Sequence, residues 1–185
     1  MPDNADRFEL TRRRLLGLGA GAFLGLVASP SWARLPRIRE RSLALQNINT
    51  AETLKTVYWA DGRYLSQGLR EISRLLRDYR TDEVKPIDPQ LLDFLFALRD
   101  RLGSDRPFEV VSAYRSPSTN AMLRNQSRGV ARNSLHMQGK AVDIRLPGFQ
   151  PSQVARAARA MKRGGVGSYR RFTHLDVGEI RTWSG

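Results

Sequence analysis

The sequence predicts a single compact α+β domain with a small, largely antiparallel β-sheet and flanking helices. Runs of helix are followed by short strands in mixed order, and no internal repeat or low-complexity tract interrupts them. The chain has 185 residues, enough for one ordinary domain of about 100–200 residues. It contains no cysteine, which excludes disulfide scaffolds and Cys-ligated metal sites.

The first 33 residues are expected to be an export signal that precedes the domain. Three arginines at 12–14 come directly before a leucine pair, an apolar stretch covers 17–28, and Ser31 and Ala33 supply the small residues of a cleavage site. Such a short apolar run cannot span a bilayer, which needs about 20 residues, but it fits a signal peptide. An amphipathic first helix fits less well, because the apolar residues form no helical stripe.

The paired arginines predict export by the twin-arginine route, which places the protein in the periplasm or cell envelope. Cleavage after Ala33 would leave a basic lead at 34–41 and a domain at 42–185, with no transmembrane segment. The net charge is +13, which attracts polyanions. Export makes the anionic cell envelope, and not nucleic acid, the expected partner. The alternative is that most of the arginines form a solvated face that keeps the domain soluble. A monomer is expected with either explanation.

Two strands and two helices are predicted in the first half of the domain. Short strand patterns cover residues 42–48 and 53–59. Leucine and isoleucine recur at three- and four-residue steps over 65–79, which predicts an amphipathic helix. The second helix has clearer limits, because Asp88 followed by proline is a typical start and Gly103 is a typical end.

The second half of the domain alternates between strands and helices. Its predicted strands cover 108–113, 140–146 and 172–177, and its predicted helices cover 118–125 and 152–163. The last strand is expected to close the sheet.

The period of two along these strands places several polar side chains away from the core. In 140–146 the large apolar residues share one face, so Asp143, on the other face with Ala141, points into a cleft or solvent. In 172–177 the same alternation puts His174 and Asp176 together on the face opposite the core.

The two histidines of the chain, His136 and His174, both lie near strand-borne aspartates. Gly139 would allow the chain after His136 to turn tightly into the strand that carries Asp143. Two imidazoles and one carboxylate are the ligands of a catalytic zinc site whose fourth position holds water. We therefore predict one Zn²⁺ per chain at His136, Asp143 and His174. The alternative is two unrelated surface histidines.

Several motifs resemble known peptidases. Residues 134–147, SLHMQGKAVDIRLP, are similar to the Ser-x-His-x-x-Gly-x-Ala-x-Asp signature of zinc D-Ala-D-Ala metallopeptidases, whose superfamily includes lysostaphin-type enzymes and the hedgehog amino-terminal domain. From about 42 to 183 the chain resembles the murein endopeptidase K family. Its matching motifs occur in the same order: VSAYRSP at 111–117, TNA at 119–121, GGVG at 164–167, FTHLDVG at 172–178, and the pair Arg181 and Trp183.

The resemblance implies zinc-dependent cleavage of the peptide cross-links between peptidoglycan stem peptides. It assigns His136, Asp143 and His174 as zinc ligands, and places Arg115 near the scissile carbonyl or a substrate carboxylate. These roles are chemically consistent, because zinc polarises a carbonyl and activates water while a guanidinium stabilises an oxyanion. The alternative for Arg115 is one of many arginines at a strand end.

The general base is where this sequence departs from related metallopeptidases. They carry Glu or His three or two residues before the last histidine ligand, whereas this chain has Arg171 and Phe172 there. Asp176 is the remaining catalytic candidate because it shares a face with His174. It could accept a proton, or it could orient His174 through a ring N–H.

Two other functions remain open from the sequence. One is a carboxypeptidase that trims terminal residues from uncross-linked stem peptides, and the other is a wall-binding module that keeps the fold without turnover. The sequence does not determine whether a D,D or an L,D cross-link is cut, because that choice depends on the shape of the cleft.

Overall fold

A computed structural model describes residues 39–127 and 129–185. The predicted export signal at 1–33 and most of the basic lead lie outside the described residues. Within the described part, no helix has the length and apolar character needed to cross a membrane.

The described chain builds an eight-stranded mixed sheet with the order β3-β2-β1-β4-β5-β7-β6-β8. Its strands are β1 Glu40–Asn47, β2 Thr53–Ala60, β3 Arg63–Tyr64, β4 Phe108–Ser112, β5 Ala141–Arg145, β6 Gly165–Ser168, β7 Thr173–Asp176 and β8 Arg181–Ser184. The β1–β4 and β6–β8 pairs are parallel, and the other five pairs are antiparallel.

The α+β class is confirmed, but the prediction of a small sheet is wrong. The sequence patterns missed β3, β6 and β8, which have two to four residues each. Two of the four residues of β6 are glycine, and β8 is mostly exposed. Neither strand therefore shows the alternation of apolar and polar residues that identifies a half-buried strand.

Four α-helices and one 3₁₀ turn connect the strands. They are α1 Ser66–Leu75, α2 Pro89–Arg101, α3 Pro117–Gln126, the 3₁₀ turn Leu135–Gln138 and α4 Pro151–Arg159. The helix α2 begins as predicted, since the Asp88 carboxylate accepts the N–H of Gln90 at 2.9 Å. The helix α3 is capped by Ser116, whose hydroxyl accepts the N–H of Thr119 at 3.2 Å.

The helix α1 ends at Leu75, four residues before its predicted end. Asp78 explains this difference, because its buried carboxylate accepts the N–H of Arg80 at 3.0 Å and the N–H of Ser116 at 2.8 Å. Aspartate side chains that bind nearby backbone groups compete with the helix for those groups. The same carboxylate ties the segment after α1 to the segment that carries Arg115.

One hydrophobic core lies between the sheet and helices α1, α2 and α4. The predicted core face of β5 is confirmed, because Val142 and Ile144 are fully buried in this core. Fully burying an aliphatic side chain of this size contributes about 1.5–3 kcal/mol. The core therefore fixes which face of β5 carries Asp143.

Gly139 sets the turn between His136 and β5. Its φ of +67° is left-handed, and an added Cβ would overlap the carbonyl oxygen of Pro86. We expect Gly139→Ala to lower the free energy of unfolding by about 2–5 kcal/mol, from left-handed strain and overpacking together. Thermal unfolding at several denaturant concentrations measures this loss.

Gly103→Ala is the matched control. Gly103 has a φ of +60°, but no described atom lies within 4 Å of an added Cβ. Only the backbone cost of about 1–2 kcal/mol is expected there. Equal losses in the two variants would contradict a role for the close approach to Pro86.

Candidate metal centre

Three elements bring His136, Asp143 and His174 together. Asp143 lies in β5 and His174 in β7, and the two are direct partners in the antiparallel pairing of these strands. Side chains at such paired positions are neighbours on one face of a sheet. His136 lies in the 3₁₀ turn before β5, where the N–H of Arg115 donates to its carbonyl oxygen at 3.3 Å.

The facing atoms of these side chains are spaced as ligands of one ion. His136 Nε2 lies 3.2 Å from His174 Nδ1 and 3.4 Å from Asp143 Oδ1, and His174 Nδ1 lies 2.8 Å from the same oxygen. Tetrahedral zinc with bonds of about 2.0–2.1 Å separates its ligand atoms by about 3.3 Å. The spacing therefore fits a small tetrahedral cation.

In each histidine, one ring nitrogen makes a hydrogen bond to the protein, and this bond determines that the other nitrogen is free to bind a metal. His136 Nδ1 lies 2.6 Å from the carbonyl oxygen of Ala113, and His174 Nε2 lies 3.1 Å from Asp176 Oδ2. A carbonyl and a carboxylate can only accept, so these nitrogens carry the hydrogens of the neutral rings. The lone pairs of His136 Nε2 and His174 Nδ1 then face the Asp143 oxygen. Three atoms with free lone pairs converge, and a metal cation requires such electron-pair donors.

Burial and charge adjust the protonation of the three groups. Burial lowers the pKa of His136 and favours the neutral imidazole that binds metals. Burial alone would raise the pKa of the Asp143 carboxyl, but the neighbouring histidines outweigh it and hold that pKa well below its usual range. Burial opposes a charge on His174, yet hydrogen bonds to Asp143 and Asp176 raise its pKa. The two carboxylates thus attract positive charge to this point, whether a proton or a metal ion.

Asp176 lies behind His174 and is fully buried. Its Oδ1 accepts the N–H groups of Gly165 at 3.2 Å and Gly178 at 2.8 Å, and Arg181 binds both oxygens at 3.1 and 2.7 Å. Burial opposes its ionisation, but the hydrogen bonds from His174, Gly178 and Arg181 prevail and lower its pKa to about 2. A carboxylate with so many donors is a weak proton acceptor. This arrangement supports the orienting alternative over the base.

Arg115 lies beside the three converging side chains. Its side chain is 12% exposed, and its Nη2 is 3.5 Å from Asp143 Oδ2. Its Nε is buried with no hydrogen-bond partner among the described residues. Burial lowers its pKa, which Asp143 partly counteracts. An unpaired buried donor costs about 1–3 kcal/mol. The surrounding protein therefore holds this guanidinium in place although its Nε makes no hydrogen bond with a described residue.

One cleft of about 740 Å³ is lined by the three converging side chains and by Arg115. Asp143 supplies the one carboxylate among the described residues that line it, and Asp176 is not part of its wall. The other lining residues include several aromatic and polar side chains: Tyr79, Arg80, Asn133, Tyr169, Phe172 and Trp183.

Three aromatic side chains form one wall of this cleft, which we call the aromatic wall: Tyr169, Phe172 and Trp183. The Trp183 ring centroid lies 5.2 Å from that of His174, and Trp183 Nε1 donates to the Tyr169 hydroxyl at 2.9 Å. Tyr169 in turn stacks on Phe172 with centroids 4.5 Å apart. Sequence reasoning missed this wall. The matched motif that contains Trp183 was a signal, but it indicated no role.

Comparison with known proteins identifies the family. The family described as peptidoglycan L,D-endopeptidase MepK, of the M15 peptidases, matches residues 36–183. The chain belongs to this family. The resemblance to murein endopeptidase K that the sequence motifs indicated is therefore confirmed.

Relatives in the MepK family match the chain along nearly its whole length. The chain is 42% identical over 183 residues to peptidoglycan L,D-endopeptidase MepK of Escherichia coli strain K12, which covers 96% of this chain and 100% of the relative. It is 39% identical over 182 residues to the probable peptidoglycan L,D-endopeptidase MepK of Haemophilus influenzae, covering 96% and 97% of the two chains.

Proposed function

We propose that this protein is an exported zinc endopeptidase that hydrolyses L,D cross-links between stem peptides of bacterial peptidoglycan. The observation that carries this proposal is the convergence of two imidazole nitrogens and one carboxylate oxygen within 4.8 Å of one another, in a cleft large enough for a peptide. Membership of the MepK family supplies the reaction class. The names of the relatives favour the L,D bond, a choice that the sequence alone left open.

In this proposal His136, Asp143 and His174 hold one zinc ion per chain. Zinc bound there would polarise the scissile carbonyl and activate a water molecule. The carbonyl of Ala113 and the carboxylate of Asp176 orient the two imidazoles through their outer N–H groups. Such outer contacts keep the ligand atoms aimed at one point before any ion binds.

Arg115 is the proposed electrostatic catalyst. Its side chain lines the cleft, and its Nη2 lies 3.5 Å from Asp143 Oδ2. Donors that already point into a site of low dielectric stabilise developing negative charge without reorganising. We therefore assign Arg115 to the carbonyl oxygen of the scissile amide, which becomes negative as the bond is attacked.

The deciding experiment uses full-length chain exported by a bacterial host and purified from its periplasm. The first residue of the purified protein tests cleavage after Ala33, and an inactive twin-arginine transporter tests the export route. Bound zinc per chain is then measured alongside the products from L,D- and D,D-cross-linked muropeptide dimers. Conversion of L,D dimers to monomers supports the proposal.

Other products would assign the other functions. Release of single amino acids from uncross-linked stems would establish the carboxypeptidase. Zinc binding with no product would establish the wall-binding module. Cleavage of D,D dimers alone would retain the endopeptidase and overturn the proposed bond.

The strongly positive charge, +13 for the full chain, predicts salt-sensitive adsorption to the wall. Peptidoglycan carries many carboxylates, and salt screens exposed charges over about 8–10 Å at ordinary ionic strength. Raising salt should weaken binding to isolated sacculi more than it slows turnover of a small soluble muropeptide. A sedimentation assay and a turnover assay across the same salt series compare the two. Equal effects would mean that the charge only keeps the protein soluble.

A further inference from the structure

The phenol of Tyr169 is held firmly at the wall of the cleft. Tyr169 follows β6, and its N–H donates to the carbonyl oxygen of Phe172 at 3.1 Å, which closes the turn into β7. Its ring stacks on Phe172 at an interplanar angle of 18°. It also packs closely on Gly185, where an added Cβ would lie 2.6 Å from the ring. The orientation of the ring is therefore fixed before any substrate arrives.

The hydrogen bond from Trp183 determines what the Tyr169 hydroxyl can do. An indole N–H can only donate, so the phenol oxygen is the acceptor in this 2.9 Å bond. The hydroxyl hydrogen is not used there, and no described residue accepts it. Accepting one hydrogen bond also polarises the hydroxyl and strengthens it as a donor. Tyr169 thus presents an unused, strengthened donor on the lining of the cleft.

A contact through Trp183 connects this donor to the proposed metal centre. Trp183 packs against His174 with ring centroids 5.2 Å apart, and its ring lies against Gly167, where an added Cβ would be 2.7 Å away. The phenol oxygen is therefore one indole away from a proposed zinc ligand. Tyr169 and Arg115 both line this cleft. A scissile amide that enters this cleft toward the three proposed ligands would lie among these lining side chains.

We propose that Tyr169 is a further catalytic residue, whose hydroxyl donates a hydrogen bond to the carbonyl oxygen of the scissile amide as that oxygen becomes negative. The inference rests on the proposed peptidase function. It gives this oxygen two donors from the protein, the guanidinium of Arg115 and the phenol of Tyr169. It also gives the aromatic wall a function, which is to hold the phenol at a fixed place.

Tyr169→Phe tests the inference, because it keeps the ring and its stacking and removes only the hydroxyl. Zinc content and KM should remain within about twofold of the parent, while kcat for the L,D-cross-linked dimer should fall by roughly a hundredfold, the usual effect of losing one oxyanion donor. Tyr64→Phe is the matched control. It removes the phenol of an exposed tyrosine on β3 that bonds Asp93, and it should leave kcat unchanged.

A tetrahedral phosphinate analogue of the cross-link separates catalysis from structural support. Its dissociation constant should rise in Tyr169→Phe by about the same factor as kcat falls, because the lost interaction belongs to the transition state. Unchanged kcat would overturn the inference. So would a loss of zinc or a raised KM in place of the fall in kcat, since either indicates a structural role. A parent protein that cleaves no dimer would instead overturn the proposed function, before any variant is compared.

Discussion

Replacing His136 with alanine is expected to remove bound zinc and cross-link cleavage together. His136 is 1% exposed, and its Nε2 is one of three converging ligand atoms. Two remaining ligands are too few for a zinc site, which uses at least three protein ligands. A metal of this kind contributes several kcal/mol of transition-state stabilisation, so turnover should fall by at least about a thousandfold. Metal analysis and a muropeptide assay on the same samples measure both losses.

A chelator provides the control for this prediction. The chelated parent should lose activity to the same level and recover it when zinc is restored, whereas His136→Ala should not recover. Zinc should raise the melting temperature of the parent only, because a ligand that binds the folded state stabilises it, and the variant no longer binds zinc. A variant that keeps one zinc per chain would exclude His136 as a ligand. A parent whose activity survives chelation would exclude a metallopeptidase.

Asp176→Asn is expected to weaken zinc binding by about 10–100-fold while activity returns at saturating zinc. In the structure Oδ2 accepts from His174 and one Arg181 nitrogen, while Oδ1 accepts from Gly165, Gly178 and the other Arg181 nitrogen. Asn has one acceptor oxygen in place of two, and if that oxygen stays with the larger set of donors, the amide N–H₂ faces His174. Without its acceptor, the His174 ring is no longer held in the orientation that aims Nδ1 at the metal. Losses of this size are typical when a group that orients a ligand is removed. Zinc titrations followed by activity give both values.

Arg181→Gln is the companion variant for Asp176. It removes the guanidinium but leaves the N–H groups of Gly165 and Gly178 on the carboxylate. The fall in zinc affinity should therefore be smaller than in Asp176→Asn. If Asp176→Asn instead keeps its zinc affinity and fails to turn over at any zinc concentration, Asp176 is the base and its orienting role is wrong.

If Asp176 orients His174, another group must take the proton of the attacking water. Among the described residues of the cleft, Asp143 supplies the one carboxylate, and it faces the metal position. Arg171 and Phe172 cannot accept a proton. The two proposed donors, Arg115 and Tyr169, would stabilise the negative charge that develops on the carbonyl oxygen of the scissile amide. Electrostatic stabilisation of this kind is usually the largest contribution to catalysis.

The sequence by itself determined the class of fold and the identity of the proposed ligands. Alternation in β5 assigned Val142 to the core and Asp143 to the other face, and the same alternation put His174 beside Asp176. This worked because the period of two is a local property that the core enforces. With two histidines in the chain, the candidates for imidazole ligands were also few.

Only the tertiary structure decided what surrounds those ligands. Three further partners of Asp176 come from β6, from the second residue after β7 and from β8, and the acceptor for His136 is the carbonyl of Ala113 after β4. Tyr169 and Trp183 meet through the turn after β6 and the pairing of β8 with β6. Strands of four residues carry too few positions for a periodic pattern, and their pairing depends on contacts between distant parts of the chain. The residues that surround the proposed ligands are therefore brought together by folding, and local sequence patterns do not predict them.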